Sequence, residues 1–241
     1  MIEVKNLDGF TYALKALKNG GIESVIFSNS AGKMAVNVKQ ADGTQIVNMK
    51  WNSEIVSIPK EQEKFGIYKL SEFLTTLEMF GSKDGVKCDI EDNKMSINYV
   101  ANPKVEVKYN LSDMALIAEG PEGPKSKVEF LISLKLDKDF LKKIKTIASS
   151  LSVKVLKFEG KDGVVSYIVS DKHFHSHMVK EELLKSGVED FSVCLNIDKL
   201  NIIPEGEELI INIHEKMFEF NVQDPNMELL RYYIAPTVVS E

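Results

Sequence analysis

The chain has 241 residues and a mass of 27.1 kDa, enough for one large domain or two small ones. With 44% apolar and 27% charged residues, the composition excludes a disordered or collagen-like protein, and Cys88 and Cys194 lie in separate apolar runs typical of reduced thiols. The net charge of -6 argues against nucleic-acid binding by the whole surface. Because the N-terminus lacks a secretion signal, we expect a cytoplasmic protein with no membrane partner.

Amphipathic helices and short strands alternate through the first half. Residues 9–19 place apolar side chains on one side of a helix and lysines on the opposite side. A second helix is predicted for residues 70–80, with Ser71 as its cap and Gly81 as its end. Alternating or turn-bounded apolar runs predict strands at 24–27, 33–39, 44–51, 54–58, 86–90, 95–99 and 105–109.

The same order returns after a stretch rich in glycine and proline. Residues 112–127 lose periodicity and are predicted to connect a first domain, 1–111, to a second domain, 128–241. The second domain is predicted to start with a strand at 128–136 and a helix at 137–149. A short helix is predicted at 197–203, with strands at 153–158, 164–169, 174–179, 191–195, 208–214, 217–222 and 230–234.

Positive charge is concentrated in one short stretch. Residues 135–157 contain seven lysines and two aspartates, whereas residues 158–241 contain 16 acidic and seven basic residues. Only Arg231 is an arginine among the 30 basic residues. Lysine is a flexible, hydrated point charge, and arginine is the usual bidentate ligand of guanine and phosphate. The composition therefore predicts that any contact with nucleic acid is weak and independent of base sequence.

An internal repeat relates the helices predicted at 9–19 and 137–149. A constant shift of 127 residues matches Thr11, Leu14, Lys15, Leu17 and Lys18 to Lys138, Leu141, Lys142, Ile144 and Lys145. Lysine on an outward helical face is most often only a solvated surface. Its recurrence in both halves of an acidic protein favours a shared function.

The order of these segments resembles the DNA sliding clamps of the proliferating-cell-nuclear-antigen (PCNA) type, which are polymerase processivity factors. The most similar segments are 68–74, 85–99, 196–200 and 230–236, and the length and second helix also resemble T-even-type phage clamps. The resemblance implies an α+β fold of two similar domains, with antiparallel sheets and helices on one face, that assembles into a ring of three subunits. It also implies a phage or viral protein of the infected bacterial cytoplasm, or a nuclear protein if the source is eukaryotic.

The resemblance also implies roles for individual residues. The lysines expected to face enclosed duplex DNA are Lys15, Lys18, Lys69, Lys138, Lys142, Lys145 and Lys199. Such lysines would attract phosphates without holding any one of them, so the ring would slide and topology would retain it. The subunits would join through edge strands at 105–109 and 173–179, through Val105, Val107, Tyr109, Phe174 and Met178.

Partners of clamps insert a short apolar peptide beside the connector and the C-terminal segment. The residues at the matching positions are Leu116, Ile117, Met217, Tyr233, Ala235 and Pro236. Apolar connector residues also serve simply to dock a connector onto its domain, and the two roles are compatible. The implied partners are a DNA polymerase, an ATP-dependent clamp loader and a late-transcription factor, with no cofactor.

Histidines support a competing hypothesis of a two-domain binding or metal-binding protein. His173, His175 and His177 alternate along a predicted strand and face one side of it, and His214 follows later. Strand positions i and i+4 are about 13 Å apart, too far for both to bind one ion, so at most two of the three histidines could share a metal. The sequence has no GxSxG, P-loop, HExxH or GxGxxG motif, and we expect neither an enzyme nor a metal site.

Overall fold

A computed structural model describes residues 1–81, 85–102, 104–124, 127–171 and 177–238. The chain forms two compact units. The first contains Met1–Gly123 and Asp224–Arg231, and the second contains Pro124–Gln223 and Tyr232–Glu241. Within the described ranges, no helix combines the length and apolar character needed to cross a bilayer.

The first unit consists of two antiparallel sheets and two α-helices in its described residues. The helices are α1 (Leu7–Asn19) and α2 (Leu70–Glu78). The strands are β1 (Ile2–Val4), β2 (Val25–Ser30), β3 (Lys33–Lys39), β4 (Gln45–Trp51), β5 (Val56–Ser57), β6 (Lys64–Ile67), β7 (Val86–Glu91), β8 (Lys94–Tyr99) and β9 (Glu106–Asn110). One sheet has the order β5-β1-β7-β8-β9, and the other contains the order β4-β3-β2-β6.

Helix α1 is held at both ends by local sequence and buries one face. The side chain of Asn6 accepts the backbone N–H of Gly9 at 3.0 Å, and this cap moves the helix start two residues before the predicted one. Gly21 follows the helix with a φ of +83°, which glycine adopts without strain. Phe10 is buried with its ring centroid 5.2 Å from that of Trp51, so the apolar stripe forms part of the core.

Helix α2 begins without a side-chain cap. Ser71 lies inside the first turn and its carbonyl accepts the hydroxyl of Thr75, so the predicted capping role of Ser71 is wrong. The helix follows Lys69 directly, and its apolar residues Leu70, Phe73, Leu74 and Leu77 are buried. Helix α2 ends at Glu78, two residues before the predicted limit, and Gly81 follows in the left-handed conformation with a φ of +80°.

The second unit repeats this plan. It contains α3 (Phe140–Leu151) and a 3₁₀ helix (Ile197–Ile202). Its strands are β10 (Ile132–Leu136), β11 (Val155–Lys161), β12 (Val164–Ser170), β13 (Met178–Lys185), β14 (Phe191–Asn196), β15 (Leu209–His214), β16 (Met217–Val222) and the end of β17 (Met227–Ile234). One sheet has the order β13-β12-β11-β14, and the other contains β10-β15-β16 followed by the end of β17.

Helix α3 starts three residues later than its pattern predicts. The side-chain carboxylate of Asp137 accepts a hydrogen bond from the N–H of Asp139 at 3.0 Å. The backbone carbonyl of Asp137 accepts one from the N–H of Phe140 at 3.2 Å. Residues 138–139 therefore form a turn instead of the first helical positions. The buried face of α3 contacts the unit's core through the ring of Phe140, which meets Tyr167 edge-on at 5.5 Å.

Corresponding elements follow each other in the same order in both units. Strand β1 matches β10, α1 matches α3, and β2, β3, β4 and β6 match β11, β12, β13 and β14. Helix α2 matches the 3₁₀ helix, and β7, β8 and β9 match β15, β16 and β17. This confirms the predicted α+β class with two similar sheet-rich domains.

Candidate functional site

The outward face of α1 carries two of the predicted DNA-facing lysines. Lys15 and Lys18 are both exposed, opposite the buried stripe of the helix. The Nζ of Lys15 lies 3.1 Å from a carboxylate oxygen of Glu78 at the end of α2. Lys18 forms no ion pair within the described part of the chain. The face therefore has one neutralised and one uncompensated positive charge.

The lysines around α3 make a stronger positive surface. Lys138 and Lys142 are exposed, and neither forms an ion pair with any residue that the structure describes. Lys145 is half-buried, and its Nζ is 2.7 Å from the carboxylate of Glu205. Because Glu205 is exposed and ion pairs at the protein surface are worth only about 0.2–1 kcal/mol, the ammonium of Lys145 can exchange that partner for another anion.

The other two predicted DNA-facing lysines add less positive charge, because an acidic residue lies beside each of them. Lys69 is exposed and bonded to Glu72 at 2.7 Å, and this hydrogen bond raises the pKa of the lysine. Lys199 is half-buried in the 3₁₀ helix, where the neighbouring Asp198 pairs with Lys154 at 2.9 Å. The positive charge is therefore concentrated on α1 and on α3 with its preceding turn.

Strand β9 presents an open edge in the first unit. Among the described residues it pairs only with β8. The carbonyl of Val105 and the N–H of Leu111 both bond toward β8, so the peptide groups of Glu106, Lys108 and Asn110 point away from it. These donors and acceptors are available to another strand.

Side chains anchor β9 to the helix beside it. The hydroxyl of Tyr109 donates to the carbonyl of Lys69 at 3.2 Å, and its ring meets Phe73 edge-on at 5.4 Å. Partial burial raises the pKa of Tyr109. Tyr109 and Val107 are half-buried and Val105 is 40% exposed, so the predicted interface residues of this strand form an apolar rim along the open edge.

Strand β13 is an open edge in the second unit. In the described ranges it pairs only with β12, and Met178 at its start is 55% exposed. The strand runs over 178–185, whereas 174–179 was predicted. Phe174 lies outside the described residues, so its predicted interface role stays a prediction.

A charged side chain points inward from β13. The carboxylate of Glu181 accepts the hydroxyl of Tyr167 at 2.7 Å and a hydrogen bond from Lys143, whose Nζ is 5.9 Å from the Tyr167 ring centroid. The bond from Lys143 holds the pKa of Glu181 below its usual range. An inward charge on an edge strand hinders non-specific strand pairing, because a wrong partner would bury it.

We expect Glu181→Gln to reduce the acid dependence of stability. Because the folded state lowers the pKa of Glu181, its carboxylate stabilises the protein above the unfolded pKa, and this contribution is lost as pH falls through the folded pKa. The variant should unfold more easily than wild type at neutral pH, and the difference should shrink as the pH falls below the ordinary pKa of a glutamate. Denaturant titrations measure this, and Glu182→Gln should not reproduce it, because that outward carboxylate of the same strand forms no ion pair with a described residue.

The connector lies directly on the first unit. The N–H of Ser112 bonds to the carbonyl of Gly66 at 3.0 Å, and that of Gly120 bonds to Asn37 at 2.9 Å. Ile117 is buried above Gly66, where a Cβ atom would lie 2.9 Å from the isoleucine Cδ1. The adjacent Leu116 is 72% exposed. Ile117 thus docks the connector, and Leu116 offers an apolar side chain to solvent.

The other predicted peptide-binding residues belong to the second unit. Tyr233 is buried, whereas Met217, Ala235 and Pro236 are half-exposed. The tail beyond them is fixed to β14, since the N–H of Thr237 bonds to the carbonyl of Cys194 at 2.8 Å. A single pocket formed by these residues with Leu116 and Ile117 stays a prediction.

The structure gives the metal hypothesis no support in the region it describes. His173 and His175 lie outside that region, His177 is exposed, and Nδ1 of His214 accepts the N–H of Lys216. No three histidine, cysteine or acidic side chains among the described residues are grouped to hold a metal ion.

Both cysteines are free thiols. Burial raises the pKa of Cys88 to about 12 and also raises the pKa of Cys194. Both therefore remain protonated at neutral pH, and thiolate chemistry is not favoured at either position.

Comparison with known proteins identifies the fold. No protein-family model and no curated protein matches the sequence. The structure of A. fulgidus PCNA bound to the C-terminal region of FEN-1 matches with a TM-score of 0.78 and 16% identity over 100% of both chains. This protein has the PCNA-type clamp fold.

Two further clamp structures agree with that result. A chain of the PCNA2–PCNA3 complex from Sulfolobus tokodaii matches with a TM-score of 0.76 and 16% identity, over 98% of this chain and 99% of that one. PCNA from Entamoeba histolytica matches with a TM-score of 0.74 and 15% identity, over 98% of both chains. The predicted clamp fold is confirmed, and the special similarity to phage clamps stays a prediction.

Proposed function

We propose that this protein is a DNA sliding clamp, a homotrimeric ring that encircles duplex DNA and tethers a replicative polymerase without being an enzyme. The observation that carries the proposal is the recurrence of lysines on the outward side of the matching helices in both units of a clamp fold. Lys15 and Lys18 lie on α1, and Lys138, Lys142 and Lys145 lie on α3 and the turn before it. Neither face carries an arginine.

These lysines suit a protein that encloses duplex DNA better than one that binds it tightly. Exposed ammonium groups attract phosphates at long range and exchange them readily, and they carry no means of reading bases. Acidic residues elsewhere on the chain do not oppose this function, because a closed ring stays on DNA by topology. The net charge of -6 is therefore compatible with DNA as a partner.

The internal repeat supports ring closure through β9 and β13. Within the fold, β17 is the counterpart of β9, and β4 is the counterpart of β13. The first part of β17 lies beside β4 in the first unit, where Glu228 and Lys50 form an ion pair at 3.2 Å. The open edges of β9 and β13 would make the same kind of junction between two copies. Such a head-to-tail contact must close into a ring or it would form filaments.

The connector supports a peptide-binding role. In the A. fulgidus structure, PCNA is bound to the C-terminal region of FEN-1. Here Met114 and Leu116 are 40% and 72% exposed on a connector that is otherwise fixed by backbone hydrogen bonds. We propose that Leu116, with the exposed Met114 beside it, takes part in the capture of apolar peptides from a polymerase, an ATP-dependent loader and a late-transcription factor of a phage or virus.

Native mass spectrometry gives the first test. We expect a mass three times that of the 27.1 kDa chain, the subunit number that the resemblance to PCNA-type clamps implies for a ring closed by one β9 and one β13 edge of each copy. A monomer at micromolar concentration and low salt would contradict the proposed ring.

A further inference from the structure

A groove in the second unit lies apart from the lysine-bearing helix. It has a volume of about 480 Å³ and is lined by the segment 188–193, by Leu131 before β10, and by Glu215 in the turn between β15 and β16. Val188, Phe191 and Leu131 are half-exposed and give it an apolar floor. It contains no residue that the proposed clamp function uses.

The floor of the groove is built on a glycine. Gly160 of β11 has no side chain, and a Cβ atom there would lie 2.6 Å from the ring of Phe191. The aromatic ring therefore rests directly on the backbone of the neighbouring strand. This contact holds the apolar ring of Phe191 in the floor of the groove instead of burying it in the core.

The rim of the groove carries negative charge that the protein does not neutralise. Glu189 and Glu215 are exposed and form no ion pair with any described residue, and Asp190 accepts only the backbone N–H of Asp162 at 3.2 Å. Elsewhere in the unit, Glu159 and Glu181 are paired with lysines. Three acidic side chains without a cationic partner among the described residues thus border the apolar floor.

Strand β14, beside the groove, has peptide groups that pair with no other strand of the described residues. In β14, the peptide groups of every second residue bond to β11, and those of the residues between them point away from it. Among the groups that point away, the carbonyl of Cys194 and the N–H of Asn196 form hydrogen bonds with Thr237 of the C-terminal tail. The peptide groups of Ser192 point the same way, and within the described ranges they have no hydrogen-bond partner. A short extended segment could continue the ladder that Thr237 begins.

We propose that this groove binds an extended segment of a partner protein in which lysine or arginine alternates with apolar residues. The main chain of the segment pairs with β14 at Ser192, its apolar side chain packs on Phe191, and its cations face Glu189, Asp190 and Glu215. The three observations require the same ligand: an apolar floor, an anionic rim and a free strand edge. The inference does not depend on the proposed ring, because all its residues belong to one unit.

A labelled peptide tests this site. The probe is fluorescein-Lys-Val-Lys-Val-Lys, and its affinity is measured by fluorescence anisotropy against the full-length protein. We expect the triple variant Glu189→Gln, Asp190→Asn, Glu215→Gln to bind it about tenfold more weakly than wild type. The matched control Glu54→Gln, Glu61→Gln, Glu91→Gln removes the same charge from exposed positions of the other unit and should leave the affinity within about twofold.

A second peptide separates strand addition from simple charge attraction. Lys-Pro-Lys-Pro-Lys has the same charge but lacks two N–H donors, and we expect it to bind wild type about tenfold more weakly. Amide exchange at Ser192 and Cys194 of the wild-type protein should also slow when the first peptide is bound. The proposal is wrong if no peptide binds, if the two triple variants behave alike, if both peptides bind equally, or if these amides remain unprotected.

Discussion

Lys108→Pro should convert the trimer to monomers. The peptide N–H of Lys108 points away from β8 toward the open edge of β9, so proline removes a donor that only a neighbouring subunit would use. Its ring also blocks close approach of another strand. The fold of the single chain should survive, because the ladder between β8 and β9 keeps its hydrogen bonds. Native mass spectrometry and thermal unfolding measure the two effects separately.

Lys108→Ala provides the matched control. It removes the same exposed side chain but keeps the backbone donor, so the trimer should persist. If the proline variant remains trimeric, β9 does not form the subunit junction. If both variants dissociate, the lysine side chain and not the backbone pairing holds the subunits together.

The double variant Lys138→Glu, Lys142→Glu should impair processive synthesis by at least about tenfold at roughly 0.15 M salt. Each substitution replaces an exposed positive charge with a negative one on a surface that should face phosphates. Neither lysine forms an ion pair in the described region, so the free energy of unfolding should change by no more than about 0.5 kcal/mol. Primer extension with the cognate polymerase and loader measures the first effect, and denaturant unfolding measures the second.

The matched control for this variant is Lys60→Glu, Lys94→Glu. These lysines are exposed in the first unit but lie outside its helices, so the change in net charge is equal and the effect on synthesis should be small. Equal loss in both variants would mean that total charge, and not the surface around α3, controls loading. A large loss of stability in the first variant would mean that Lys138 or Lys142 has a structural role.

The helices and many strands were predictable because their periodic patterns are local. Strands β3 and β16 match their predicted limits, since alternating apolar residues end at clear turns. Strand β6 was missed because it has only four residues and contains Gly66, whose role depends on the distant Ile117. Strand β13 was misplaced in part because a β-bulge opposite residues 165–166 breaks the alternation of its own residues.

The lysine faces were predictable, but their electrostatic partners were not. Lys15 pairs with Glu78 and Lys145 with Glu205, contacts that join residues 63 and 60 positions apart in sequence. The role of Lys143 was also missed, because its direction toward Glu181 depends on how β13 folds beside α3. The helical pattern shows which lysines are outward, and only the tertiary structure shows which of them remain uncompensated.

Retention on circular DNA distinguishes a protein that encloses duplex DNA from one that adheres to it. The protein is loaded onto a nicked plasmid by its cognate loader, separated from free protein by gel filtration, and then exposed to a restriction enzyme that cuts the circle once. A protein that encloses DNA stays with the intact circle and leaves the linear product, since lysines that exchange phosphates freely cannot hold an open end. Equal retention on the circular and linear forms would contradict it.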